Sequence, residues 1–128
     1  MLYDKNLRGL RKKVASIETT RTIGVEEGGT VFMVSAAGAY EITLPTMANA
    51  GPGWHCTFVT AEDASDFGGV VTIVNSESST ADQMSILYHE SNDSVFDLLA
   101  VSIKFKATAN RGSKIDLFTD GNKWYATG

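Results

Sequence analysis

Short runs of alternating apolar and polar residues, separated by turns that contain glycine, dominate the sequence after residue 22. In one of these runs, Tyr40, Ile42 and Leu44 alternate with polar neighbours. A period of two is that of a β-strand that buries one face. The chain must therefore bury one apolar face of each of many short strands, and sandwiches and barrels are the architectures that do so.

The pattern predicts an all-β fold, an antiparallel sandwich or barrel of about eight to nine short strands. Strand-like runs lie at residues 30–34, 39–44, 54–60, 70–74, 85–89, 101–107, 114–119 and 123–126, whereas residues 91–100 fit either a strand or one helical turn. Residues 35–38 have the length of a hairpin connection, and Asp120-Gly121-Asn122 is typical of a hairpin turn. We therefore expect antiparallel pairing across both connections.

The charge of the chain is divided unevenly along its length. Residues 1–17 hold five of the eleven basic residues and one of the fifteen acidic residues, so this segment carries a formal charge of +4 and residues 18–128 one of −8. Such asymmetry is typical of an arm that docks elsewhere. The 128 residues therefore divide into a basic amphipathic arm at 1–17 and one β-domain at 18–128.

The apolar residues of the arm follow a helical spacing of three or four residues. This spacing predicts a short helix with one apolar stripe, and an extended strap is the alternative. Such an arm can fray as a free leader, pack on its own body or on the arms of sister copies, or dock on another protein of an assembly. The candidate partner-binding residues are Tyr3, Leu7, Arg8, Leu10, Arg11, Lys12, Lys13, Val14 and Ile17.

The sequence is poor in residues that carry out catalysis. It has two histidines and one cysteine, and it lacks a nucleophile elbow and a phosphate-binding loop. We expect structural roles for His55 and Cys56 within their apolar run. Trp54, Trp124 and Tyr40 fit core packing better than stacking on sugar rings. The sequence therefore predicts no enzyme activity, no metal and no cofactor.

The sequence also limits the partners of the chain. An arm without interleaved aromatic residues, on an acidic body, does not suit direct binding of nucleic acid. No run approaches the roughly 18 consecutive apolar residues of a membrane-spanning helix. We therefore expect protein partners and no membrane contact.

Two segments resemble a motif that is common in bacteriophage virion proteins. The string YEITLP at residues 40–45 is followed by AGPGW at 50–54 and TFV at 57–59. Here a strand ends in Leu-Pro, a loop of small residues follows, and an aromatic strand resumes. The closing string GSKIDLFTDGNKWY at residues 112–125 is similar to the matching ending, in which an apolar strand runs into a turn before Trp-Tyr.

Within that group the chain most resembles a capsid decoration (cement) protein. The resemblance implies a structural virion protein, made in the host cytoplasm, that self-associates, usually as a homotrimer or sometimes as a dimer, and clamps major capsid protein subunits on the outer capsid surface. A head or tail fibre, or a tail accessory module, that binds a host-surface glycan is the alternative. We also expect that deletion of residues 1–17 leaves a folded body and abolishes capsid binding.

Overall fold

The computed structural model describes residues 12–62, 68–76, 84–88, 96–98, 102–105 and 111–127. Within these ranges the protein is mostly β, with two mixed sheets. The six-stranded sheet has the order β1-β3-β5-β10-β11-β7, and the five-stranded sheet the order β2-β4-β6-β9-β8. The strands are β1 (Lys13–Ile17), β2 (Arg21–Thr22), β3 (Thr30–Val34), β4 (Tyr40–Thr43), β5 (His55–Thr60), β6 (Val71–Val74), β7 (Met84–Tyr88), β8 (Phe96–Leu98), β9 (Ser102–Phe105), β10 (Lys114–Thr119) and β11 (Trp124–Thr127).

Two short helical segments interrupt the strands. A 3-10 turn covers Val25–Glu27, and helix α1 covers Met47–Ala50. Helix α1 begins after Thr46, whose side chain accepts a hydrogen bond from the backbone N–H of Asn49 at 3.2 Å. This cap satisfies a donor that would otherwise be orphaned at the start of the helix. The loop of small residues after Pro45 is therefore one capped helical turn.

The chain crosses between the two sheets after each of its first five strands. β1, β3 and β5 are parallel neighbours in the six-stranded sheet, and β2, β4 and β6 are parallel neighbours in the five-stranded sheet. The later strands add the antiparallel pairs β5–β10, β10–β11, β6–β9 and β8–β9, and β7 joins parallel to β11. The all-β class is thus confirmed, whereas the sheets are mixed and not purely antiparallel.

The connection at residues 35–38 shows why the antiparallel expectation fails. β3 and β4 lie in different sheets, so the predicted hairpin between them is wrong. The backbone of Ala36 is buried and donates to the Glu62 carboxylate at 2.9 Å, while its carbonyl oxygen accepts from Gly68 at 2.6 Å. These bonds hold a crossing between sheets in a loop that is also short enough for a hairpin. Parallel neighbours require crossings of this kind.

The hairpin predicted around Asp120-Gly121-Asn122 is confirmed. β10 and β11 pair antiparallel, and Thr119 and Trp124 close the turn. Gly121 has a φ of 95°, a conformation that side chains other than glycine rarely adopt. Trp124 and Tyr125 then point to opposite faces of β11, Trp124 into the core and Tyr125 outward.

The inward side chains of both sheets form one core. Phe32 on β3 and Phe58 on β5 stack with their ring centroids 5.4 Å apart. Arg21 lies over the Phe32 ring of this stack, 5.4 Å from its centroid, and forms an ion pair with Glu27. Both sheets contribute fully buried side chains to this core. Those on the side of the six-stranded sheet are Ile17, Phe32, Val34, Cys56, Phe58, Ile115, Leu117 and Trp124, and those on the side of the five-stranded sheet are Ile23, Ile42, Leu44, Val71, Ile73, Ile103 and Phe105. The two sheets are therefore packed face to face as a sandwich.

The arm is a helix in none of its described residues. Lys13–Ile17 is strand β1, which pairs parallel with β3 over its whole length. Val14 and Ile17 would share one face of a helix, but in a strand they point to opposite faces, and their exposed fractions are 66% and 2%. The helical interpretation is wrong here because sheet hydrogen bonds and core burial outweigh a weak helical propensity. Residues 1–11 of the predicted arm lie outside the described residues.

This correction changes the deletion that separates the arm from the body. Removing residues 1–17 would take away an edge strand and the buried Ile17 side chain, so the remaining chain would not keep this core. Removing residues 1–11 leaves both in place.

Replacing Ile17 tests whether the end of the arm is part of the core. We expect Ile17→Ala to lower the free energy of unfolding by about 2–4 kcal/mol, because it removes buried methyl groups and leaves a cavity. Val14→Ala, on the exposed face of the same strand, should change it by less than about 0.5 kcal/mol. Urea unfolding of both variants measures the difference, and equal effects would contradict the placement of Ile17.

Candidate interaction surface

Among the described residues, two features that bear on a reactive centre are the thiol of Cys56 and the grouping of metal-ligating side chains. Cys56 is buried, and burial raises the pKa of its thiol well above the ordinary value, so the thiolate is disfavoured. In the parts of the chain that the structure describes, no three His, Cys, Asp or Glu side chains are grouped as metal ligands would be. The structural role expected for Cys56 is confirmed. His55, in contrast, is exposed on the outer face of β5.

The predicted partner-binding residues divide into three groups. Tyr3, Leu7, Arg8, Leu10 and Arg11 lie outside the described residues. Lys12, Lys13 and Val14 are exposed at the start of β1. Ile17 packs in the core of its own domain and is not available to a partner. The burial of Ile17 fits the alternative in which the arm packs on its own body.

The outer face of the six-stranded sheet carries an apolar patch, which consists of Val14, Val31, Met33 and Val59. The register places Val14 beside Val31 and Met33 beside Val59, so the four side chains lie on three adjacent strands. Val14 is the most exposed of them at 66%, and the other three are partly exposed. Contiguous exposed apolar surface of this kind is a candidate site for a partner to cover.

The outer face of the five-stranded sheet differs in character. Its described outward side chains are Thr22, Glu41, Thr43, Thr72, Val74 and Lys104, of which only Val74 is apolar. A sheet face of this composition suits water. The two outer faces of the sandwich are therefore not equivalent, and the apolar patch is a property of one face.

A polar ladder borders the apolar patch on the β10 side. The Thr57 hydroxyl donates to the Asp116 carboxylate at 2.7 Å, and Lys114 lies 3.3 Å from the same carboxylate. Both residues of the ion pair are largely exposed, so it contributes little to stability. The ladder gives the patch a hydrogen-bonding border next to its apolar centre.

A second exposed group on this face is the aromatic pair of Phe118 and Tyr125. Their rings stack with centroids 5.1 Å apart and planes 20° apart, and Phe118 is 40% exposed. The Asp120 carboxylate accepts hydrogen bonds from the backbone N–H groups of Asn122 and Lys123 at 2.8 and 2.9 Å and from the Tyr125 hydroxyl at 2.9 Å. These bonds lower the pKa of Asp120, and the bond to Asp120 raises the pKa of Tyr125. The bond to Asp120 thus fixes the position of the Tyr125 hydroxyl, and the Phe118 ring stacks on the Tyr125 ring.

The aromatic residues that the sequence offered for sugar stacking have other roles. Trp124 is fully buried, lies edge-to-face with Trp54 at 5.6 Å, and its indole N–H has no hydrogen-bond partner within the described structure. Trp54 donates its indole N–H to the Val25 carbonyl at 2.9 Å. Core packing is thus confirmed for Trp124.

The sequence analysis did not predict the aromatic pair of Phe118 and Tyr125. The predicted hairpin nevertheless places these two residues opposite each other at outward positions.

Tyr40 lies at the side of an open depression lined also by Glu18, Thr19 and Ala37. Its hydroxyl donates to the Ser35 carbonyl at 2.6 Å and lies 3.2 Å from the Ile17 carbonyl. Burial, with Glu18 and Glu62 nearby, raises the pKa of Tyr40 to about 12, so the hydroxyl stays protonated. The hydroxyl is committed to holding the crossing after β3 against the end of β1, which is a structural task.

Comparison with protein-family models, with curated proteins and with solved structures found no match to this chain. Among the described residues, no helix has the length and apolar character needed to cross a membrane. The outer face of the six-stranded sheet therefore has to be interpreted from its own geometry.

The acid dependence of stability tests the bonds around Asp120. Because the pKa of Asp120 is lowered from its ordinary value of 3.8 in the folded state, its carboxylate stabilises the fold above that value and loses this effect as the pH falls through the lowered pKa. We expect Asp120→Ala to reduce the urea midpoint at pH 7, with the difference from wild type shrinking below about pH 4. Tyr125→Phe, which removes one of the three bonds, should give a smaller reduction. A difference that does not depend on pH would contradict this assignment.

Proposed function

We propose that this chain is a structural virion protein that decorates the outer surface of a phage capsid and stabilises it by binding major capsid protein subunits. The observation that carries the proposal is the apolar patch on one outer face, next to the strand that the basic arm enters. The resemblance of residues 40–59 and 112–125 to virion proteins supplies the viral context. Neither observation requires chemistry at the surface.

The position of the arm supports a docking role. The arm joins β1 at Lys12, at the end of the six-stranded sheet and two residues before Val14 of the apolar patch. Basic residues of the arm and apolar residues of the patch can therefore contact one partner together. Apolar burial then supplies affinity, and the charges guide association and fix register.

The two resembling segments support a purely architectural role. They meet in the structure, since the backbone N–H of Gly53 donates to the Thr119 carbonyl at 2.8 Å and that of Thr119 to the Trp54 carbonyl at 3.0 Å. Trp54 and Trp124 pack on each other at the same place. The motif residues thus close the sandwich and leave the outer face of the larger sheet to bind the partner.

Binding to capsids tests this proposal. With virions or empty capsids of the phage whose genome encodes the chain, we expect the full chain to co-sediment in many copies per shell and to raise the resistance of the shell to heat. A chain lacking residues 1–11 should lose binding. Val31→Asp, which places a charge in the apolar patch, should weaken binding at least about tenfold, the effect of losing one well-buried anchor.

A matched control is available on the other sheet. Val74, like Val31, points outward from a central parallel strand and is partly exposed. Val74→Asp should leave capsid binding unchanged, and circular dichroism shows whether each variant is folded. Undiminished decoration by both the truncated chain and Val31→Asp would contradict the proposal.

A second candidate function is glycan binding by a fibre or tail accessory module, and the aromatic pair favours it. Exposed aromatic rings with polar groups beside them suit the apolar face of a sugar ring. Asp120 and His55 flank the pair, since His55 lies opposite Phe118 in the register between β5 and β10. A module of this kind would occur in few copies per particle.

Binding of the labelled chain to host cell-surface glycans distinguishes the two functions. If the chain is a glycan-binding module, Tyr125→Ala should abolish binding, whereas Val31→Asp should not alter it, because the apolar patch lies on other strands. If the chain is a decoration protein, we expect no saturable glycan binding by the unmodified chain or by either variant. The copy number per virion, measured by quantitative gel or mass spectrometry, provides the independent readout.

A further inference from the structure

We propose that two copies of the chain pair antiparallel through the free edges of their β1 strands, centred on Ala15, so that their six-stranded sheets join across a twofold axis. Among the described residues, no strand lies on the outer side of β1. This pairing concerns the chain alone and does not depend on the proposed capsid binding. The surface is the free edge of β1, and its partner is a second copy of the chain.

The backbone of β1 has hydrogen-bonding groups available for this pairing. The Ile17 carbonyl accepts from the backbone N–H of Ser35 at 2.9 Å and so faces β3. Because successive residues of a strand point their backbone groups to opposite edges, those of Val14 and Ser16 face the free edge. β1 contains no proline, and its register with β3 is continuous, so neither a missing backbone donor nor a bulge interrupts its edge; its one charged residue, Lys13, lies at its first position.

The centring on Ala15 follows from these backbone directions. With Ala15 opposite Ala15 of the second copy, Val14 lies opposite Ser16 of the second copy, and the reverse pair follows by symmetry. Both are hydrogen-bonded pairs, which gives about four hydrogen bonds across the edge. A shift of one residue would set the free-edge groups of one copy against residues that bond to β3.

Charge complementarity selects the same register among those that the backbone allows. Lys12 and Glu18, both exposed at the two ends of β1, then lie opposite each other in both symmetric positions. Opposite charges that face each other across strands are stabilising, and like charges there are destabilising. A shift by two residues would place Lys12 opposite a serine or a threonine and would lose both pairs.

Val14 of the apolar patch supplies the apolar contact across the joined edge. Val14, with 66% of its surface exposed, lies on the free edge of the patch. In the proposed register the two Val14 side chains are diagonal neighbours, within reach of each other on the same outer face. The patches of two copies therefore continue into each other. This arrangement is a twofold dimer, the less usual of the two oligomeric states that the resemblance implies.

Sedimentation equilibrium of the full chain tests the dimer, and charge exchange tests the register. We expect a monomer–dimer equilibrium. Its dissociation constant should rise on the order of tenfold in each of two single variants, Lys12→Glu and Glu18→Lys. The double variant, with the charges exchanged, should return close to wild type. Lys123→Glu makes the same charge change at an exposed position in the turn between β10 and β11, and it should have no effect.

A cysteine at the centre of the edge gives a direct readout of the register. Across an antiparallel pair without hydrogen bonds, Cα atoms lie about 4.5 Å apart, which a disulfide can bridge. Ala15→Cys should therefore form a disulfide-linked dimer under mild oxidation, and the exposed control Lys123→Cys should not. Cys56 is 1% exposed and does not compete.

The possible outcomes separate cleanly. A dimer that responds to the charge exchange and crosslinks at residue 15 supports the proposal. A monomer at all concentrations, a trimer, or a dimer that the charge variants and Ala15→Cys leave unaffected overturns it. None of these measurements involves a capsid, so failure here and failure of the proposed function are distinguishable.

Discussion

Strand β5 holds the two halves of the larger sheet together, and the rest of the sandwich depends on its register. On one side it continues the parallel series β1–β3–β5, and on the other it begins the antiparallel series that ends in β11. Phe58 stacks on Phe32 of the first series and lies opposite Ile115 of the second. A slip of one residue would turn Thr57 and Val59 into the core and expose Phe58. The packing of Phe58 against both series of strands therefore fixes one register for β5.

Alternation in the sequence predicted most of the strands from residue 30 onward but not which strands pair. Alternation decides which side chains of a strand are buried, so the runs at 30–34 and 114–119 were predicted with their observed bounds. Alternation does not decide which strand lies next to which. A four-residue connection suits a hairpin or a crossing, and only the bonds of Ala36 to Glu62 and Gly68, both distant in sequence, select the crossing.

The error at β1 has a different cause. A spacing of three residues between Val14 and Ile17 fits a helix well, and nothing local to the arm contradicts that pattern. The contradiction comes from β3, which offers a continuous parallel edge and a core position for Ile17. Short helices without a partner surface are marginal in water, so a sheet edge prevails. The sequence did not predict the apolar patch for the same reason. Its side chains become neighbours only through the parallel registers of β1 with β3 and of β3 with β5.

The two proposed interactions are geometrically compatible. In an Ala15-centred pair the two arms leave at opposite ends of the joined edge, with their Lys12 residues roughly 20 Å apart at about 3.4 Å per residue. Both apolar patches then lie on one side of the joined sheets, and the polar outer faces of the smaller sheets lie on the other. A dimer would thus present one continuous apolar surface on one side, with the starting points of its two arms at opposite ends of the joined edge. Binding of one arm would raise the effective concentration of the second, so two weak contacts could hold neighbouring subunits of a shell together.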